Sequence, residues 1–240
     1  MAWFVTGEYK DPDLGTYWSP ENKPIDAEMT RFEAMGKQLA LEIEARYLAG
    51  PDKGKMGVPE FPWFGSYKYP PLLEGWRWPI PDQPFRTQLV QHEEEIVDLV
   101  STPFDSWAIS ERVIDLIESI EPGVHQYLPF ELIQPDGSVH PAKRWLLNVC
   151  TRAEVVDEAK SDVVRLTPPS NFKFGNAKND FYLVVKAEEA RKRALWFEWR
   201  YHGPGYDSPM VGDALWNAIK AAGMHGWQPH YGYKRHIKEC

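Results

Sequence analysis

Seven histidines offer the first route to chemistry: His92, His125, His140, His202, His225, His230 and His236. A metal site would draw on His225, His230 and His236, spaced by five and six residues. Zinc sites favour tighter i,i+4 pairs or Cys-x-x-Cys knuckles. This trio falls on a predicted strand and tail, so convergence on one ion does not follow, and no metal or cofactor is expected. Two of the histidines share a context. "GVHQYLP" at 123–129 and "GMHGWQP" at 223–229 repeat glycine, histidine, aromatic and proline in the same order. The pair is either two rings gathered for hydrolysis, with nearby carboxylates, or one structural unit used twice.

Carboxylates cluster at Glu93, Glu94 and Glu95, and again at Asp115 and Glu118. Acid–base work needs such groups inside a pocket, and no pocket motif surrounds either cluster. Asp115 and Glu118 fall on the predicted solvent face of a helix, where charge is simply hydrated. Nucleophiles fare no better. No Gly-x-Ser-x-Gly appears, Cys150 lies inside an apolar strand, and Cys240 is the last residue. "GKMG" at 54–57 lacks phosphate-loop spacing, and "HGPGYDS" at 202–208 lacks the strand and helix of a dinucleotide fingerprint. No catalytic residue is assigned, and the expectation is a binding protein rather than an enzyme.

Charge and composition narrow the partner. The 240 residues suit one large domain or two small ones, here expected as 1–100 and 101–240. Hydrophobic residues make up 43% and charged residues 26%, so a packed core is within reach. The formal charge is -8; residues 1–100 hold 10 Lys/Arg against 17 Asp/Glu, which leaves -1 for the remainder. Such a chain repels phosphate backbones, so direct nucleic-acid binding is not expected. Its acidic first half would steer a basic partner, although solubility explains the same charge. Cysteine is scarce and the start, "MAWFVTGEYK", has neither a basic region nor a cleavage site. No run approaches the roughly 18 apolar residues of a membrane helix. A cytoplasmic location with no membrane contact is the expectation.

These residues need elements to position them. Ile25, Met29, Phe32, Leu39, Ile43 and Tyr47 line one face of a helix over 25–49, stopped by Gly50-Pro51. Residues 59–85 hold seven prolines and eight aromatics, too much proline for a helix or a central strand. They read as an extended segment wrapped over the body, the alternative being a disordered ligand for an SH3-like module. Residues 88–100 are open between strand and short helix. Ser110 is placed to cap a helix with Val113, Leu116, Ile117 and Ile120 on its inner face. Residues 124–133 and 144–157 read as paired strands around an Asp136-Gly137 turn, with Pro129 marking an edge or a bulge. Residues 181–186 and 195–203 are further strands, and 187–194 one or two helical turns. Residues 208–223 read as a helix closed by Gly223, and 227–233 as a last strand. Both copies of the repeat then run from a helix-ending glycine into a strand. The predicted fold is α+β: an antiparallel sheet shared by two related helix–strand units, preceded by a helix and the proline- and aromatic-rich segment.

Several of these features resemble a known family. Ser110, Pro122-Gly123, Tyr127-Leu128-Pro129, Leu147-Asn148-Val149 and the closing "DALWNAIKAAGMHGWQP" are similar to motifs of the DUF1629, or Imm11-type, immunity proteins of bacterial polymorphic toxin systems. The resemblance covers roughly residues 100–232, and residues 1–95 match no pattern of it. It implies a protein that binds and neutralises a cognate toxin in interbacterial competition, and it carries over no catalytic residue. The expected contacts lie in the acidic, aromatic first half: Glu93, Glu94, Glu95, Trp63, Trp76 and Trp78. Tryptophan anchors interfaces and complementary charge speeds capture, so a basic toxin such as a nuclease would suit this surface. The same tryptophans would also serve as core. An enzyme built on His125 and His225, or a scaffold protein of a secretion-related locus, are the other readings.

Overall fold

Leu146 and Leu147 are adjacent and fully buried, yet they belong to different cores. Successive side chains of a strand point to opposite faces. A strand covered on both faces must therefore be apolar at neighbouring positions. Ala108 and Ile109, and Val100 and Leu99, divide between the same two cores. These features come from a computed structural model that describes residues 2–7, 23–49, 77–89, 92–102, 104, 106–161, 163–165, 172–174, 183–198, 209–229 and 237–239.

The chain runs β1 (Ala2–Gly7), α1 (Lys23–Ala49), β2 (Phe85–Gln88), β3 (Leu99–Ser101), β4 (Trp107–Ile109) and α2 (Glu111–Ile120). Next come β5 (Gln126–Ile133), β6 (Arg144–Asn148), β7 (Arg152–Ala153), β8 (Val163–Arg165), β9 (Phe172–Phe174) and β10 (Leu183–Val185). Then follow α3 (Ala187–Ala190), β11 (Leu195–Glu198), β12 (Met210–Gly212), α4 (Asp213–Ala221), β13 (Trp227–Pro229) and β14 (Ile237–Glu239). The first five-stranded sheet has the order β2-β5-β6-β4-β3, and the second β13-β1-β12-β11-β7. Each is antiparallel except for one pair, β2 with β5 and β7 with β11. Two-stranded pairs β8-β9 and β10-β14 complete an α+β fold, as predicted.

The first sheet lies between helices. On one side Phe32, Leu39 and Ile43 of α1 pack with Phe85, Leu128, Phe130, Leu132 and Leu146. On the other, Val113 and Ile117 of α2 and Leu215, Trp216 and Ile219 of α4 pack with Ile109, Leu147 and Trp107. That second core also takes Leu195 and Val211 from the second sheet, so α2 and α4 join the two sheets. Among the described residues no helix is long and apolar enough to cross a membrane.

Several expectations change in detail. The strand foreseen over 144–157 is two: β6 pairs with β5, then β7 joins the other sheet beside β11. Within the predicted helix start at 208–212, Met210–Gly212 instead form β12, whose three residues are all buried, and α4 opens at Asp213. Residues 92–98 form neither helix nor strand. Ser110 does precede α2, but its hydroxyl donates to Asp98 Oδ1 at 2.7 Å and makes no side-chain cap. Pro129 is tolerated inside the sheet because β2 pairs with β5 only from Phe130 onward. At Pro129, among the described residues, the strand pairs with β6 alone.

The repeated seven-mer marks the same kind of place twice, by different means. Gly123 and Gly223 both take a positive φ, 69° and 62°. After α4, Gly223 N–H bonds Lys220 O and Met224 N–H bonds Ile219 O, the Schellman pattern. After α2, the cap position is followed by Pro122, which has no N–H, and Gly123 N–H donates to the Glu118 carboxylate at 2.7 Å instead. An arginine serves each end: Arg77 donates to Gly123 O and Val124 O, Arg112 to Ala222 O. The strands that follow do not share a sheet, contrary to expectation. β5 lies in the first and β13 in the second. The two copies diverge most at their fourth position. Gln126 is a hydrogen-bonding hub, whereas Gly226, at φ 101°, lets the chain press against β3. A Cβ there would stand 2.1 Å from Leu99 O, beside the Leu99 N–H to His225 O bond.

Gly226→Ala should therefore cost about 3 kcal/mol or more in urea unfolding, from backbone strain and the displaced strand together. Gly223→Ala meets nothing within 4 Å and should cost only about 1–2 kcal/mol, the left-handed penalty alone. Equal losses at the two positions would show that the contact with β3 has no energetic weight.

Candidate functional site

His125 and His225 do not assemble a site. His125 is buried where α2 gives way to β5, while His225 is exposed beside the edge strand β3. His125 Nδ1 accepts from Cys150 N–H at 3.3 Å, so the ring carries its proton on Nε2, which stands 3.4 Å from Glu121 Oε2. Glu121 is 8% exposed and has further partners. Its Oε2 accepts from Ala194 N–H at 2.8 Å and its Oε1 from the Thr151 hydroxyl at 3.2 Å. Burial alone would raise its carboxyl. The facing His125 ring and the Ala194 and Leu195 amides outweigh that and hold it below the usual carboxylate range.

The arrangement joins chain segments: the carboxylate and ring touch the end of α2 and the entries to β5, β7 and β11. Cys150 beside it is no activated nucleophile, since burial pushes its thiol up to about 11. Glu118, expected as a hydrated charge, instead accepts from Gly123 N–H and from the Tyr127 hydroxyl at 2.6 Å. Asp115 is exposed as expected. Among the described residues no group of three or more His, Cys, Asp or Glu is placed to hold a metal ion. His202, His230 and His236 lie outside the described residues.

The acidic stretch is better defined. Glu94 and Glu95 are exposed and Glu93 half-buried, although the chain here has no regular structure. Its order comes from side chains of the β5–β6 hairpin. Gln134 accepts from Glu93 N–H at 3.2 Å through Oε1 and donates to Glu93 O at 2.6 Å through Nε2. Arg144 donates through one nitrogen to Ile96 O at 2.6 Å and Val97 O at 3.0 Å. Glu94 and Glu95 lie between these two clamps. A second glutamine does the same at the other end of β2. Gln126 accepts from Trp78 N–H at 2.8 Å and donates to Trp78 O at 3.0 Å. Asn148, in the middle of its motif, donates to the same Gln126 Oε1 at 2.7 Å. Residues 77–89 and 92–97 thus form a strap along β5, pinned at both ends and paired in the middle.

Trp78 is placed in the core. It is 2% exposed and stacks on Phe32 with ring centroids 4.4 Å apart. It offers no ring to a partner, because the backbone clamp turns the side chain under α1. Trp63 and Trp76 lie outside the described residues. Sequence reasoning passed over Gln126, Gln134, Arg144 and Glu121. One signal was available for Arg144: an arginine opening the apolar run "RWLLNV" has a reason to be buried. Another was the eight-residue spacing of the glutamines, which brackets the predicted strand.

Comparison with known proteins adds one finding. A family model described as "Immunity protein family (Imm11)" matches residues 20–233. The match reaches through α1 and the strap, well beyond the portion that carried the resemblance. No curated protein matches the chain.

Glu121→Gln tests the buried carboxylate. The amide puts a donor where Ala194 N–H or Thr151 Oγ1 needs an acceptor. At pH 7 the loss should be about 1–3 kcal/mol, by urea unfolding. The folded-state carboxyl titrates below its ordinary 4.5, so its contribution is present above the unfolded value and lost as pH falls through the folded one. The native and variant stabilities should therefore converge in acid. A deficit that stays constant with pH would contradict the assignment.

Proposed function

Because the chain belongs to the Imm11 immunity protein family, we propose that it binds a cognate bacterial toxin domain in the cytoplasm and neutralises it by covering its active site. The observation that carries this reading is the acidic edge at Glu93–Glu95. Two of its three carboxylates are exposed, its backbone is irregular, and yet it is held at both ends by buried side chains. Loops held on a rigid scaffold are the usual carriers of recognition. The first sheet is covered by helices on both faces, so a partner meets rims and loops.

Charge supports a basic toxin surface. Most of the chain's net charge lies in its first hundred residues, including this edge. A negative edge raises the rate of encounter with a positive surface and orients it. A nuclease, which must itself attract phosphate, is the kind of toxin that would present such a surface. Glu94 and Glu95 are then direct contacts, with Glu93 contributing charge from its half-buried position. Trp78 acts from beneath, as packing for the strap. Inhibition needs occlusion alone, and no residue of this chain is given a catalytic role.

The experiment takes as its probe the C-terminal domain of whatever large secreted protein the neighbouring reading frame encodes. Co-expression should rescue cells from that domain, and failure of rescue together with failure to bind would sink the immunity reading. The double substitution Glu94→Lys and Glu95→Lys should slow association by about tenfold or more at low salt, with the effect shrinking as salt screens the charges. Association rates unchanged across salt would remove the acidic edge from the interface.

A further inference from the structure

Arg144 is an unexpected residue to bury. It is 8% exposed, and among the described residues no carboxylate stands within ion-pair distance of it. Burial lowers its pKa, and Asp98 acts on it only at longer range in the opposite sense. A buried charge without a partner weakens a fold relative to an apolar residue of similar volume. Stability alone therefore does not account for a guanidinium here. What it provides is placement, through hydrogen bonds to Ile96 O, Val97 O and Lys143 O. Gln134 shows the same pattern. It is 3% exposed, and its side-chain oxygen and nitrogen both engage the backbone of Glu93.

We propose that Gln134 and Arg144 are positioning residues for partner capture. By fixing the backbone at Glu93 and at Ile96–Val97, they present Glu94 and Glu95 to a basic protein surface in an already ordered geometry. This rests on the acidic-edge reading above and goes beyond it, because neither residue touches the partner. An irregular segment that ordered only on contact would lose conformational freedom in the complex and bind more weakly for it. The clamps take that loss during folding. The charges at 94 and 95 attract, and the clamps decide whether the attraction meets a fixed target.

The test uses the full chain and the toxin domain of the neighbouring reading frame, with four proteins compared: native, Gln134→Met, Arg144→Met, and the Glu94→Lys/Glu95→Lys double variant. Gln134→Met changes no charge and little volume. Amide exchange at residues 92–98 should quicken in both clamp variants while the rest of the sheet stays protected. Their Kd for the toxin domain should rise roughly ten- to a hundredfold, mostly through faster dissociation. The dependence of Kd on salt should keep its native slope in Gln134→Met, because every charge remains. A purely structural clamp would lower the melting temperature and leave the affinity of the folded protein at its native value. That result, with faster exchange at 92–98 but native Kd, overturns the proposal while leaving the acidic edge in place if the double variant still binds poorly. Native affinity in the double variant overturns the acidic edge itself. Should Arg144→Met fail to fold, Gln134→Met carries the same comparison alone.

Discussion

At the end of α2 the Glu121 carboxylate takes hydrogen bonds from the Ala194 amide and the Thr151 hydroxyl, and faces the His125 ring. Each contact comes from the entry to a different strand: Ala194 to β11, Thr151 to β7, His125 to β5. β5 belongs to one five-stranded sheet, and β7 and β11 to the other. A buried charge must be satisfied wherever it sits, so the three entries are drawn to one point. The helices α2 and α4 fill the space between the sheets with apolar side chains, which resist separation but do not dictate an angle. The carboxylate is directional where the core is not. The chain crosses from β6 to β7 within three residues, 149–151, and this is the place where it passes the Glu121–His125 pair.

Period and punctuation made much of the fold readable. The spacing of Phe32, Leu39 and Ile43 placed α1, and Val113 and Ile117 placed α2, with burial on the faces expected. Asp136-Gly137 gave the hairpin, and Gly137 indeed takes a positive φ. What failed was sheet membership. Nothing local in "RWLLNVCTRA" marks the point where the chain leaves one sheet for another, since the second strand is only Arg152–Ala153, too short to show an alternation of its own. The signal for that crossing is Cys150 N–H bonding a histidine 25 residues earlier. Likewise "SPMVGDALW" carries a helix-like spacing of apolar residues, but Met210 and Val211 are claimed by β1 and β11 from far away in the chain.

The candidate site was legible in composition and hidden in geometry. Glu93, Glu94 and Glu95 stand out in any reading, and two of the three prove exposed. The tryptophan beside them in the argument was harder. A Trp in a proline-rich stretch serves equally as anchor or as core, and Trp78 is core because Phe32, 46 residues earlier, stacks on it. Gln126, Gln134 and Arg144 drew no notice because polar residues near strand ends are ordinarily hydrated. Their role depends on which backbone arrives beside them, and that is settled by the parallel pairing of β2 with β5, a contact between distant segments. The repeated seven-mer was legible as punctuation. Its two copies do end helices, yet one uses a carboxylate where the other uses backbone, so likeness of sequence came with unlike bonding.

Around Glu94 and Glu95 the strap is held by an amide and a guanidinium that bond main-chain atoms of Glu93, Ile96 and Val97, and main-chain atoms are the same for every residue type except proline's missing N–H. A clamp of this kind is blind to the letters it holds. Glu94 and Glu95 could become other residues without altering a single bond at Glu93, Ile96 or Val97. The scaffold therefore separates shape from identity: the backbone at 93–97 is set by hairpin residues deep in the sheet, and these hydrogen bonds do not depend on the side chains at 94 and 95. A surface built this way can change its side chains at these two positions while the hydrogen bonds that fix its backbone stay as they are.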